Sequence, residues 1–416
     1  MARFEMKRST AFETSNDNGV GRGQLTLVEH ALCPLDSRLS LVENLVHEAT
    51  YFFMDAHRRW RKSTAKITCP LGLSANDEYY LWGLLALTLA EPEPDDELHA
   101  SPHFCLRRLG LIDAHHSRGG QQYRQFADAV ERLSLVRYRN DFFFDPVRGE
   151  HRKVSFGFFS YSLPLDPESS RAWQIVWDPI FFEFVKAVRG SLRFDLDTYR
   201  QLDPACRRLF LLLAKIFYRR QVTPSFELRH LAVDVLGFST SLAQREMKRK
   251  VHRCVSRLCA LGIVAEPAEL FRKRRPGEYV IAMTRGMYFG KERSKMSQTQ
   301  SSETPLTEPL LKIGFDEPGI RRLVRKYPAQ MLRQWTDITL AALERNGVGF
   351  FKKCPQAYLL DNLRNAHSGV RTPPDWWLEM RKEEHQFRRA KVQQSQNGAK
   401  AQPELARDIL RRILPS

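Results

Sequence analysis

The sequence predicts an α+β fold, mainly helical with small β-hairpins. Three observations predict it. Apolar residues recur every three to four positions in long segments between Asp77 and Leu261, short alternating runs flank turn-forming residues, and three helices followed by a hairpin occur twice in order. With 416 residues and 43% hydrophobic content, the chain has material for two or three cored domains. Its 65 Lys and Arg against 48 Asp and Glu give a formal charge of +17 and a pI near 9.7. Such a balance points to nucleic acid or an anionic membrane as partner. No apolar run reaches membrane-spanning length and the Met1-Ala2-Arg3-Phe4-Glu5 start lacks a signal-peptide pattern, so a cytoplasmic protein without membrane association is expected. Cys33, Cys69, Cys105, Cys206, Cys254, Cys259 and Cys354 form no C-x-x-C pair or Cys/His group of zinc spacing, and they read as reduced, buried thiols.

Residues 1–24, rich in Ser, Asn, Gly and Arg without periodicity, predict a disordered arm. A first domain is expected over 25–170. Leu25 to Leu45 opens it as an apolar, strand-like stretch, and Thr50 to Lys66 mixes aromatics with Arg58, Arg59, Arg61 and Lys62. The helix Glu78 to Ala90 is apolar nearly all round, which suits a central position, and Pro92 and Pro94 stop it. Ser101 as N-cap and Pro102 at the first helical position begin a second helix, which ends at Gly110. A third, Gln121 to Leu135, places Tyr123, Phe126, Ala127, Val130 and Leu133 on one face. Val136–Phe144 and Arg152–Leu163 then alternate like paired strands around the turn Asp145-Pro146-Val147-Arg148-Gly149.

The second domain is expected over 171–289, with Asp178-Pro179 capping a helix from Ile180, a strand at Leu192–Leu196 and one long helix from Tyr199. A linker over 290–309 and a helical C-terminal module and tail over 310–416 complete the chain. In that module Glu317–Asn346 and Pro355–Asn365 read as helices, with an amphipathic candidate at Pro403–Leu414.

The charge concentrates in the second domain. Phe226 to Leu236 predicts a short helix ending at Gly237, and Ser241 is an N-cap candidate for the next helix, which closes at Leu261-Gly262. Met247, Val251, Val255, Leu258 and Leu261 form its apolar face. At about 100° per residue, Arg245, Arg249, His252, Arg253, Ser256 and Arg257 fall opposite, with Lys248 and Lys250 on the flanks and Glu246 as the only acid. Unrelieved like charge costs stability, so a polyanion is the missing counterpart. Beyond it Ile263-Val264-Ala265 reads as a short strand, Phe271-Arg272-Lys273-Arg274-Arg275-Pro276-Gly277 as a basic turn, and Tyr279–Met283 as a second strand. Helix, strand, basic turn and strand make the closing half of a winged helix-turn-helix, so two tandem winged-helix domains are expected. In that arrangement the basic helix, through Arg245, Lys248, Arg249, His252, Arg253, Ser256 and Arg257, enters the major groove of double-stranded DNA. Arg272, Lys273, Arg274 and Arg275 contact phosphate or the minor groove. In the first domain Gln121, Gln122, Arg124 and Gln125 could read adenine or phosphate, although its low net charge makes dimerisation an equal candidate.

Little points to catalysis. His115 and His116 are adjacent and would point apart, unlike a metal-binding pair spaced by one residue. The acidic run Glu93-Pro94-Asp95-Asp96-Glu97 reads as a solvated loop, and Gly19-Val20-Gly21-Arg22-Gly23 lacks the Gly-Lys-Ser/Thr of a phosphate loop. No catalytic residue, cofactor or metal is expected.

Leu71-Gly72-Leu73 to Leu89, Gly119-Gly120-Gln121-Gln122-Tyr123 to Leu133, and Leu192 to Phe217 with Asp203-Pro204-Ala205-Cys206-Arg207-Arg208-Leu209-Phe210 together resemble the replication initiator protein A family of bacterial plasmids. The resemblance covers roughly Leu25 to Met283. It implies paired winged-helix domains that bind repeated origin sites, assist opening of A·T-rich DNA and recruit the host initiator and helicase, with dimers that repress their own gene. The extension after Gly290 departs from the family core. A transcriptional regulator built on the same two domains is the alternative.

Overall fold

The computed structural model describes residues 19–55, 59–91, 94–112, 120–164, 169, 171–187, 190–290, 304–384 and 386. Strand β1 (Val20–Gln24) and the short helix α1 (Ser37–Ser40) precede strands β2 (Leu45–Met54) and β3 (Trp60–Cys69). Helix α2 (Asp77–Leu89) follows, then β4 (Glu97–Ala100), α3 (Pro102–Arg108), α4 (Gly120–Ser134), β5 (Arg137–Asp145), β6 (Glu150–Phe156), β7 (Phe159–Ser162) and β8 (Trp173–Trp177). After α5 (Pro179–Lys186), β9 (Ser191–Asp195) and α6 (Leu196–Arg200) come α7 (Pro204–Phe217), β10 (Phe226–Glu227), α8 (Leu228–His230) with the π-turn Leu231–Val235, α9 (Gln244–Ala260), β11 (Arg272–Arg275) and β12 (Glu278–Ile281). The C-terminal part holds α10 (Thr307–Ile313), α11 (Glu317–Lys326), α12 (Ala329–Asn346), α13 (Pro355–His367) and a helical segment over 375–384.

Two units share one order. In each, a helix, a strand, two helices and two strands come in that order, with the β5–β6 hairpin inserted before the last two strands of the first unit, and the three strands pair as first–last–middle, β4-β8-β7 and β10-β12-β11. Local chemistry sets the helix starts. Ser101 Oγ accepts from Phe104 N–H, Asp178 Oδ1 from Ile180 and Phe181 N–H, and Asp203 Oδ1 from Cys206 N–H, each with proline at the first turn. Helix α2 is buried along nearly its whole length, as its all-round apolar sequence requires.

Several expectations need correcting. Residues 20–24 belong to the fold, because β1 pairs antiparallel with β9 and Gly21 leaves room for the Phe194 ring, which a Cβ would strike. The rest of the expected arm, residues 1–18, lies outside the described residues, as do His115, His116 and most of the 290–309 linker. Leu25–Leu45 is no strand: Gln24 Oε1 accepts from Thr26 and Leu27 N–H and turns the chain into a 3-10 turn at Leu27–Glu29. The β5–β6 hairpin is real but joins a four-stranded sheet, β2-β3-β5-β6, instead of closing the first unit. That unit is closed by β7 and β8, whose Trp177 indole donates to Thr88 of α2 at 2.9 Å, so residues 171–177 belong with the first unit and not the second. The long helix from Tyr199 is two helices, since Asp203-Pro204 starts afresh, and Glu317–Asn346 likewise breaks at Tyr327-Pro328.

One hydrophobic core runs through both units, so the two are not packed independently. Arg208 of α7 ties them at its centre, donating to Glu78 of α2 from Nη2 at 2.6 Å and Nε at 3.0 Å and to the Leu236 carbonyl at 2.8 Å. Burial and the Glu78 carboxylate act on Arg208 in opposite directions, and the net effect holds its guanidinium protonated above the ordinary range. The C-terminal helices have a separate core around Trp335, Leu332 and Leu359. Their junction with the first unit is ionic: buried Arg171 donates to Asp337 and Glu384, and Glu308 accepts from Ser101 Oγ.

Candidate nucleic-acid interface

Helix α9 forms because Met247, Val251, Cys254, Val255 and Leu258 supply a continuous buried face. Its start differs from expectation. The N-cap is Ala243, with no side-chain cap, and Ser241 instead bonds Ser239, closing the preceding turn. The first turn is held from outside by the Gln244 amide, which donates to the Gly277 carbonyl of the β11–β12 turn. One turn later Lys248 Nζ sits 3.0 Å from the centroid of Tyr279 and 5.4 Å from that of Phe271. A cation held over two ring faces braces the hairpin against the helix. Gly277 (φ +80°) makes the tight turn, and Gly262 (φ +70°) ends the helix. The expected strand at Ile263–Ala265 is reduced to one bridge, Val264 to Arg285.

The cationic residues of both elements are open to solvent. Arg245, Arg249, His252, Arg253, Ser256 and Arg257 are all exposed, and so are Arg272, Lys273, Arg274 and Arg275 along β11. Among the described residues only Arg249 of the helix arginines is ion-paired, to Glu246 at 2.8 Å, and that bridge is solvent-exposed and weak, while His252 and Ser256 share a hydrogen bond at 3.3 Å. Lys248 and Lys250 are half-buried and turned to rings, Lys250 to Phe238 at 5.2 Å. A rigid helix and a braced hairpin thus carry a dense set of exposed cations, which self-repel where no acid lies beside them.

The first unit differs. On α4 Gln121, Arg124 and Gln125 are exposed and Gln122 is half-buried, but Arg124 bends back to the Gly120 carbonyl. Arg132 is consumed by a bidentate bridge to buried Asp77, with both bonds at 2.7 Å. The segment between β7 and β8, the counterpart of the basic hairpin turn, is engaged by the C-terminal helices through Ser169–Glu344 and Arg171–Asp337. Nothing in the sequence flags Arg171 for that role, because its acids lie far downstream.

Among the described residues one group could hold a metal, Asp203, Cys206 and Cys254, brought together from α7 and α9. Its atoms are already satisfied, since Asp203 caps α7 and accepts from the Cys206 thiol at 3.2 Å. Hydrogen bonding toward Cys254 and burial push the Cys206 thiol well above its usual range, away from the thiolate a metal needs. All seven cysteines are free. The acidic run is partly paired: Asp95 meets Arg333, and Glu97 meets His99 at 2.8 Å.

No family model matches the chain. No curated protein matches it either. Among solved structures it is similar to domains 2 and 3 of RctB, with a TM-score of 0.38 and 13% identity over 57% of this chain and 91% of that one. No helix among the described residues is long and apolar enough to cross a membrane.

Proposed function

We propose that the protein is a DNA replication initiator of the plasmid type, in which both units are winged-helix domains and the second reads repeated duplex sites at an origin. One observation carries the reading: the exposed arginines of α9 and the exposed β11 cations lie on elements locked together by Gln244 and Lys248, with Glu246 as the single acid on α9. In this reading α9 lies in the major groove, where an arginine can bond guanine bidentately, and the hairpin rests on phosphate or the minor groove. The identical strand order of the two units and the plasmid-initiator motifs around Tyr123 and Asp203 support a tandem reader. The work is binding and deformation of DNA, without catalysis, cofactor or metal. Host initiator, replicative helicase and a second copy of the chain are its proposed partners.

Replacing Arg249 and Arg253 with alanine should cost about 1–3 kcal/mol per lost base contact in a band-shift titration. Unchanged affinity would reject the assignment. A plasmid carrying only this gene and its flanking repeats should replicate; failure to replicate while the repeats are still bound would favour the transcriptional regulator.

A further inference from the structure

A groove of about 2440 Å³ runs between the β2–β3 hairpin on one side and β9, the end of α7 and β11 on the other. Small-molecule sites occupy roughly 300–1,000 Å³, so one small ligand does not fill it. Ten lysines and arginines against three glutamates line this groove. Of those acids Glu29 is already paired, to Lys215 at 2.7 Å. The β1–β9 register sets Arg22 directly opposite Arg193, and among the described residues neither has an acid partner. Facing like charges destabilise a sheet, and burial together with Arg193 lowers Arg22 to about 10. Arg219 and Arg220, both exposed, continue the same wall from the end of α7. An anion relieves all four.

The facing wall is aromatic. Trp60 is 58% exposed and Phe52 46%, and the register that pairs Met54 with Trp60 puts both rings on one face of the hairpin. Tyr218, 70% exposed, stands beside the two terminal arginines of α7. Open rings add nothing to contacts with duplex phosphates, whereas unpaired bases stack on them whatever their sequence.

We infer that this groove binds single-stranded nucleic acid, with Trp60 and Tyr218 as stacking platforms and Arg22, Arg193, Arg219 and Arg220 as the phosphate wall. The inference extends the proposed DNA-binding role and shares Arg272, Lys273 and Arg274 of β11 with it, but it uses none of the α9 residues, so variants at Trp60 and Tyr218 and variants on α9 separate the two. The test is fluorescence anisotropy of the full chain with labelled oligothymidylate and, in parallel, a labelled duplex of mixed sequence. Trp60→Ala and Tyr218→Ala should each weaken oligothymidylate binding about 5- to 150-fold and leave duplex binding unchanged. Arg249→Ala/Arg253→Ala should do the reverse, and Tyr218→Phe should bind like the parent. If either alanine variant fails to fold, exposed Arg193→Glu carries the same test. Retention of parental oligothymidylate affinity by the folded variants overturns the inference. So does displacement by polyglutamate of matched charge as effective as by unlabelled oligothymidylate, which would mark an unspecific cationic surface or a site for acidic protein.

Discussion

Replacing Arg208 with methionine should destabilise the whole two-unit body, because a single guanidinium there answers both α2 and the turn that follows α8. Its Nη2 and Nε hold Glu78 at 2.6 and 3.0 Å, and its Nη1 satisfies the Leu236 carbonyl just before the chain turns at Gly237. Arg208 is 4% exposed and Glu78 7%. Without the arginine, Glu78 keeps one long contact, Leu32 N–H at 3.4 Å, and becomes a desolvated, uncompensated carboxylate. Removing one partner of such a pair costs about 3–5 kcal/mol. At about 2–4 °C per kcal/mol for a body of this size, the midpoint should fall by about 6–20 °C. Circular dichroism during heating and during urea titration reads both. The double variant Arg208→Met/Glu78→Gln removes the orphan charge and should recover most of the loss, since an ion pair replaced on both sides is close to neutral. A single variant within about 1 kcal/mol of the parent, or a double variant no better than the single, would refute the reasoning.

Three further outcomes follow from the same contacts. Burial holds His30 down to about 4, with Nε2 on Tyr138 Oη at 3.0 Å, whereas the unfolded side chain titrates near 6.5. Because the unfolded chain therefore takes up the proton first, stability should be intact above about pH 6.5 and fall by about 3 kcal/mol on this account between there and pH 4; His47, also held down by burial to about 4, adds to the same slope, so urea midpoints against pH should lose part of that slope in His30→Gln, and an unchanged slope would exclude His30 as a source. Arg171→Ala removes the cation from Asp337 and Glu384, although the Trp377 indole still donates to Asp337 at 2.8 Å and Arg381 still reaches Glu384 at 3.0 Å. A loss near the lower end of about 3–5 kcal/mol is expected, seen as faster amide exchange over 329–384, and parental protection there would count against the ionic junction. At Gly237 the backbone is left-handed (φ +82°) and a Cβ would lie 2.1 Å from Arg208 Nη1 and 2.9 Å from the Cys33 carbonyl. Gly237→Ala should thus cost at least about 1–3 kcal/mol in the same urea titration, and a neutral result would show that the Arg208 cluster yields easily.

What could be read directly from the chain was short-range. Ser101 and Asp178 start their helices as expected, because a cap is decided within one helical turn by a side chain and a nearby N–H. The outward set on α9 is legible for the same reason: a 3.6-residue period sorts Arg245, Arg249, Arg253 and Arg257 from Met247, Val251 and Leu258 without reference to any neighbour. Strand partners were not legible. Alternation says which residues share a face but not which strand lies alongside, so β5–β6 was readable as a hairpin and its place beside β3 was not.

The sequence by itself determined several helix starts, the β5–β6 hairpin, the charge excess and the cationic face of α9. Only the tertiary structure decided that residues 20–24 belong to a sheet, that one core joins both units through Arg208 and Glu78, and that Arg22 lies beside Arg193 on one wall of a groove that aromatic rings also line. Each of those joins residues more than a hundred positions apart. Such contacts depend on how the elements close on one another and how buried charge is matched, which no local period encodes.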